Sequence, residues 1–143
     1  MSKDKDSRPS RRKTLLGDRP GSYAIARQVR ISPTKVRRVV DLVRGMDVPD
    51  ALSTLKFAPQ AASEPLYKVI ASAASNAEQT DNLKTTDLFV SKAFVDEGVT
   101  MRRMRLRAKG SASRILKRSS YITVVVEPRA AESGAPISNR QEA

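Results

Sequence analysis

Arg102, Arg103, Arg105, Arg107, Lys109, Arg114, Lys117 and Arg118 crowd one stretch of this chain, VTMRRMRLRAKGSASRILKRSS, and no carboxylate occurs between Glu97 and Glu127. Those side chains supply +8 of a formal net charge of +12. Guanidinium and ammonium groups with no acid beside them bind polyphosphates, through bidentate N–H contacts and through release of condensed counterions. Arginine outnumbers lysine in the stretch, which favours fitted contacts to phosphate and stacking on exposed bases over diffuse attraction.

Other chemistries have few residues to run on. With no Cys and no His, the thiolate and imidazole metal ligands are missing, as is the usual general base. The acidic clusters, Asp47 with Asp50 and Asp96 with Glu97, read as a helix start and a strand end, so no catalytic residue, metal ligand or cofactor is expected. Three Tyr and three Phe make up all the aromatics, and only Tyr121 lies near the cationic stretch. Paired stacking residues of the kind that make single-strand platforms are therefore not expected, and recognition should run through backbone and shape. No segment approaches the roughly 20 apolar residues needed to span a bilayer, and MSKDKDSRPSRRK lacks the apolar core of a secretory signal. A cytoplasmic protein with no membrane partner is expected.

The elements that must position the cations follow from periodicity. Residues 1–22 are polar, basic and broken by Pro9, Gly17, Pro20 and Gly21, which reads as a flexible tail. From Tyr23 to Ile31 the chain alternates like a half-buried strand, with Ile25, Val29 and Ile31 on one parity. Ser32-Pro33 opens a helix, whose apolar face is Val36, Val39, Val40 and Val43 and whose end is marked by Gly45. A second helix starts at Asp47 and turns Val48, Leu52 and Leu55 inward. A third carries Ala62, Leu66, Val69, Ile70, Ala73 and Ala77; Pro65 kinks it if it begins near Pro59 and sits harmlessly in the first turn if Ser63 is the cap.

Thr86–Val95 and Tyr121–Glu127 are β-branched and aromatic, so two strands flank the cationic stretch. Antiparallel pairing makes the stretch a long hairpin turning at Ala108-Lys109-Gly110-Ser111, with Gly110 supplying a positive φ. About nine residues per side at about 3.3 Å each would carry its tip on the order of 30 Å from the body. A two-stranded ribbon of that length is marginal alone in water and needs a partner along it. Met101, Met104, Leu106, Ile115 and Leu116 interleave with the charges, and Met104 and Ile115 are expected to be cross-strand pairs that hold the ribbon together. Residues 23–128 then form one α+β domain, the hairpin taking 98–120, and 129–143 reads as a disordered tail.

The runs SPTKVRRVVDLVRG, SAASNAE, KAFVDEG and MRRMRLRAKGSASRILKRSSYITVVV closely resemble the bacterial large-subunit ribosomal protein twenty-two family, in order from about Tyr23 to Glu127. The resemblance implies three helices packed on a small three-stranded antiparallel sheet with a protruding β-hairpin. It implies binding to several domains of large-subunit ribosomal RNA, a part in subunit assembly, and a hairpin tip at the wall of the nascent-peptide exit tunnel. There the tip would face large-subunit protein four and the nascent peptide, near where macrolides bind, and no self-oligomer is implied. Carried onto this chain, Arg102, Arg103, Arg105, Arg114, Lys117 and Arg118 hold the arms to RNA. Arg27, Arg30, Lys35, Arg37 and Arg38 contact it from the body, and Arg107, Ala108, Lys109, Gly110, Ser111 and Ala112 form the tunnel-facing tip. The family commonly reads Pro-Arg-Ala-x-Gly-Arg-Ala at the tip; here Leu106 stands for the proline and Ser111 for the second arginine.

Two other classes fit parts of the pattern. A DNA-bending protein could insert a basic ribbon into a minor groove, though the cationic face of the first helix then has no duty. An enzyme acting on nucleic acid could hold Mg²⁺ with Asp96 and Glu97.

Overall fold

The computed structural model describes residues 10–129, and the expectations for residues 1–9 and 130–143 lie outside the described residues. In order come α1 (Arg11–Leu16), β1 (Ser22–Val29), α2 (Pro33–Val43), α3 (Val48–Phe57), α4 (Ser63–Asp81), β2 (Leu88–Glu97), β3 (Met101–Leu106), β4 (Ala112–Lys117) and β5 (Ser120–Pro128). The architecture is α+β: an antiparallel sheet in the order β1-β5-β2, and a separate two-stranded ribbon of β3 and β4. The strands flanking the cationic stretch, β2 and β5, are paired directly, so the ribbon is their continuation beyond the body.

One face of the sheet carries the core. Ala24, Ile122, Val124, Val126, Val90, Ala93 and Val95 meet the apolar stripes of the helices, Val36, Val39, Val40 and Val43 from α2 and Leu66, Val69, Ile70, Ala73 and Ala77 from α4. These are the residues that recur at helical and strand periods, and burying a Val, Leu or Ile side chain contributes about 1.5–3 kcal/mol. α4 begins at Ser63, which puts Pro65 in the first turn, where its missing N–H has no helical acceptor to lose. It ends at Asn82, whose φ of 52° supplies the left-handed cap.

The parity expected of β1 is overturned. Ala24 and Ala26 face the core with Val29, whereas Ile25 lies on the opposite face of the sheet. Between the pairs Ala26↔Ile122 and Val29↔Ser120, two residues of β1, Arg27 and Gln28, stand against Tyr121 alone. This β-bulge shifts the alternation by one residue, and Gln28 takes a φ of 54° to make it.

The edge strand β2 is closed by main chain and by two arginines. Val90 donates to Met46 O and accepts from Gly45 N–H, both at 2.9 Å. Farther along, Arg44 Nη2 donates to Ala93 O at 2.8 Å, and Arg37 donates to Val95 O through Nη2 at 3.0 Å and Nε at 3.3 Å. Carbonyls that would otherwise template pairing with another chain are thereby occupied.

The region read as a wholly flexible tail holds α1, which lies against the sheet face away from the helices. Leu16 is buried there, and Lys92 Nζ donates to Leu15 O at 3.0 Å. Arg12 Nη2 reaches both oxygens of Asp81, at 2.8 and 3.0 Å, and Gly21 N–H donates to Asp81 Oδ2 at 2.8 Å. Gly21 sits at φ 134°, and a Cβ there would collide with Val126 O. Asp81 thus straps the N-terminal segment to the end of α4. Arg129, read as the first residue of the C-terminal tail, is also fixed: its guanidinium pairs with Asp47 at 2.9 Å and lies over the Phe89 ring. Both corrections arise from contacts distant in sequence, which local composition does not register.

The Gly21 N–H bond and then the Arg12 hydrogen bond hold the Asp81 carboxyl below the ordinary aspartate value. A carboxyl depressed in the folded state contributes stability above its unfolded pKa of about 3.9, and that contribution is lost as pH falls through the folded value. Protection of the amides across residues 11–21, relative to their intrinsic exchange rates, should therefore fall below about pH 4 while the α4 core stays protected. Asp81→Asn should show fast exchange already at pH 7. Equal protection in the variant and the parent at pH 7 would remove the strap.

Candidate nucleic-acid interface

The ribbon is built from six cross-strand pairs, Met101↔Lys117, Arg102↔Leu116, Arg103↔Ile115, Met104↔Arg114, Arg105↔Ser113 and Leu106↔Ala112. Residues directly opposite share a face, so Arg103, Arg105 and Lys117 project on one side with Ile115, while Arg102 and Arg114 project on the other with Met104, Leu106 and Leu116. The ribbon is cationic on both faces and can be clasped from both. Met104 is not the packing residue expected from sequence. Its partner is Arg114 and it is 75% exposed, as Leu106 is 83% exposed, because a two-stranded ribbon has no third layer to cover them.

Among the described residues, every ion pair lies in the body, joining Arg12 with Asp81, Arg19 with Glu127, Arg44 with Asp41, Lys68 with Glu64 and Arg129 with Asp47. None involves the eight cations of the ribbon. Arg103 bonds only its own neighbourhood, donating to Arg102 O at 2.8 Å and to the Met101 sulfur at 3.7 Å. Among the described residues, nothing compensates the field of the ribbon along its length.

At the tip, Lys109 and Gly110 both adopt positive φ, 59° and 71°. The sequence pointed to Gly110 alone; Lys109 takes the left-handed region at an energetic cost of about 1 kcal/mol or more. The loop is closed by Arg107 N–H donating to Ser111 O at 2.7 Å and by Ser111 Oγ donating to Ala108 O at 2.9 Å. Ser111, one of the departures from the family pattern, is thus a closing residue of the turn where an arginine would have added charge. Arg107 Nε donates to Ser113 Oγ at 2.9 Å, which lays the guanidinium back along the ribbon.

The ribbon joins the body through a fixed root. Gly98 N–H donates to Ser119 O at 2.9 Å, and the buried Ser119 donates from Oγ to Val99 O at 2.7 Å. A side chain at Gly98 would run into Ser119, so close approach of the two strands requires glycine there.

The body cations named from sequence gather near this root. Ser120, the first residue of β5, is paired with Glu97 on one side and with Val29 on the other. Arg27 and Arg30 therefore lie at the end of the sheet from which the ribbon leaves. Arg37 bonds Val95 two residues before Glu97, which brings the first turns of α2, with Lys35 and Arg38, to the same end. Arg27, Arg30, Lys35 and Arg38 form no side-chain hydrogen bond or ion pair with protein groups among the described residues. Arg37 differs: two of its five N–H donors go to Val95 O, so part of its capacity is spent on seating α2.

No cluster of three or more metal-ligating side chains occurs among the described residues, and no described helix is long and apolar enough to cross a membrane. Asp96 and Glu97 are consecutive residues of β2, so their carboxylates point to opposite faces and do not converge on one ion.

A concavity of about 820 Å³ lies on the outer face of the sheet, against α1. Phe94 and Tyr121 line it together, although they are far apart in sequence. Phe94 stands opposite Thr123 and Tyr121 opposite Asp96, so the two rings are diagonal neighbours on adjacent strands. The expectation that the chain lacks paired aromatics fails here, since only the β2–β5 register reveals the pair.

Residues 24–127 match the sequence profile of the family described as Ribosomal protein L22p/L17e. The chain is 71% identical over 127 residues to the large ribosomal subunit protein uL22 of Cutibacterium acnes (strain DSM 16379 / KPA171202), a match covering 89% of this chain and 83% of that protein. The matched residues hold α2 to α4, the cationic ribbon and nearly all of the sheet, and the chain belongs to the L22p/L17e family of ribosomal proteins.

Proposed function

We propose that this protein is a structural component of the bacterial large ribosomal subunit in the cytoplasm, and that it binds large-subunit ribosomal RNA and assists assembly. The observation that carries the reading is the ribbon: cationic on both faces and without an ion-pair partner among the described residues. Such a ribbon gains stability when RNA packs along both of its faces. Arg102, Arg103, Arg105, Arg114, Lys117 and Arg118 anchor the arms. Arg27, Arg30, Lys35 and Arg38, with the free donors of Arg37, hold RNA around the root. Residues 107–112 then face the nascent-peptide tunnel, beside large-subunit protein four. A groove in duplex DNA would use the ribbon but leave the root cations idle, so a folded RNA that contacts both fits better.

The test is retention. Contacts made during assembly become buried, so the protein should sediment with large subunits after a wash at high salt. Recovery in the free pool alone would overturn the reading.

A further inference from the structure

The concavity on the outer face of the sheet lies outside the ribbon and shares only Arg27 with the cations around its root, and it is lined by groups suited to one nucleotide. Its floor is a row across three strands, Ile25, Thr123 and Phe94, followed by Tyr121 and Asp96. Its walls are the β1 bulge, with Arg27 and Gln28, and α1, with Arg11. Phe94 is 39% exposed, a large apolar ring left open to solvent on a sheet face that α1 otherwise begins to cover.

Three independent features converge there. Gln28 is held at φ 54°, a conformation unfavourable for a residue other than glycine, and it belongs to the bulge that forms one wall of the cavity. The two aromatic rings lie diagonally across one strand pair, and flat rings on an open sheet stack unpaired bases. Two guanidinium groups against one carboxylate leave the rim cationic. About 820 Å³ is within the range of small-ligand pockets, roughly 300–1,000 Å³.

We propose that this concavity receives a single unstacked nucleotide of the ribosomal RNA, its base against Phe94 and Tyr121 and its phosphate against Arg27 and Arg11. The inference rests on the RNA-binding reading above and adds a site to it. Gln28 offers both a donor and an acceptor to the base edge, whereas the Asp96 carboxylate only accepts. Asp96 therefore favours a base carrying an exocyclic amine, adenine, cytosine or guanine, over uracil.

The experiment compares the parent with Phe94→Ala and Phe94→Tyr for binding a large-subunit ribosomal RNA fragment across a salt series. Phe94→Ala should weaken binding by between about 5- and 150-fold, the range for removing one base–aromatic stack. It should leave the slope of log affinity against log salt unchanged, because a neutral ring releases no counterions. Phe94→Tyr restores affinity, which a general loss of structure would not do. Parental affinity in Phe94→Ala, with the salt slope intact, overturns the nucleotide site and leaves the RNA reading standing. A parent with no salt-dependent affinity overturns both. Unchanged RNA affinity together with abolished binding to a neighbouring large-subunit protein would give the face to a protein instead, and overturns the proposal.

Discussion

Replacing Arg103 and Arg105 together by glutamate should lower affinity for large-subunit ribosomal RNA by at least about a hundredfold near physiological salt, with the fold of the body unchanged. Both side chains leave the same face of the ribbon and neither touches the core. Their removal therefore opens no cavity, and melting should shift by no more than about 0.5 kcal/mol equivalent. Binding suffers twice, because two phosphates are left without their guanidinium partners and two carboxylates are brought against them. Removing one partner of a buried charge pair costs about 3–5 kcal/mol, so a hundredfold, about 2.7 kcal/mol, is a lower bound for two. The salt slope should fall by about 1.8, at about 0.9 for each phosphate no longer neutralised. Arg103→Lys with Arg105→Lys supplies the control: the charge and the slope persist, and only the bidentate geometry is removed. Equal affinity and equal slope in the glutamate variant would move the RNA off this face of the ribbon.

The sequence was most legible where one physical rule acted alone. Helical spacing of Val36, Val39, Val40 and Val43, and of Leu66, Val69 and Ile70, named core residues that are fully or nearly fully buried, because periodicity and burial are the same constraint. The acid-free window named the ribbon, because strands on both sides and a glycine turn leave few other ways to connect them. Legibility failed where a long-range contact or a local irregularity intervened. Ile25 was assigned to the face of Val29, and the bulge at Arg27–Gln28 separates them. Arg12 and Asp81 are 69 residues apart, so nothing in RRKTLL announces that it will be strapped to the end of α4.

The aromatic pair and the body cations show the same limit from the side of function. Phe94 and Tyr121 belong to different strands, and only the register of β2 against β5 makes them neighbours. Arg37 reads in sequence as another cation on a polar helix face. In the fold it also closes the carbonyl edge of β2, as Arg44 does two residues earlier along that strand. A charge count cannot distinguish a cation spent on the fold from one free for a partner. The distinction lies in where unpaired carbonyls fall.

Shortening the tip separates its role from that of the arms. Replacing residues 106–112 by Asn-Gly leaves Arg105↔Ser113 as the last pair and closes it with a two-residue turn whose positive φ angles match the twist of the strands. The strain at Lys109 goes, so the remaining ribbon is no less stable than before. Arg107 and Lys109 are removed, and if they held phosphates the salt slope of RNA binding would fall by about 1.8. On the tunnel placement proposed above those two charges face the lumen, so slope and subunit incorporation should stay at parental values. On the same proposed placement, macrolide inhibition of the assembled ribosomes should shift severalfold, because a shorter hairpin would widen the wall beside the drug. A fallen slope with unchanged drug response would place residues 107–112 on RNA as a third anchoring segment and withdraw the tip from the tunnel.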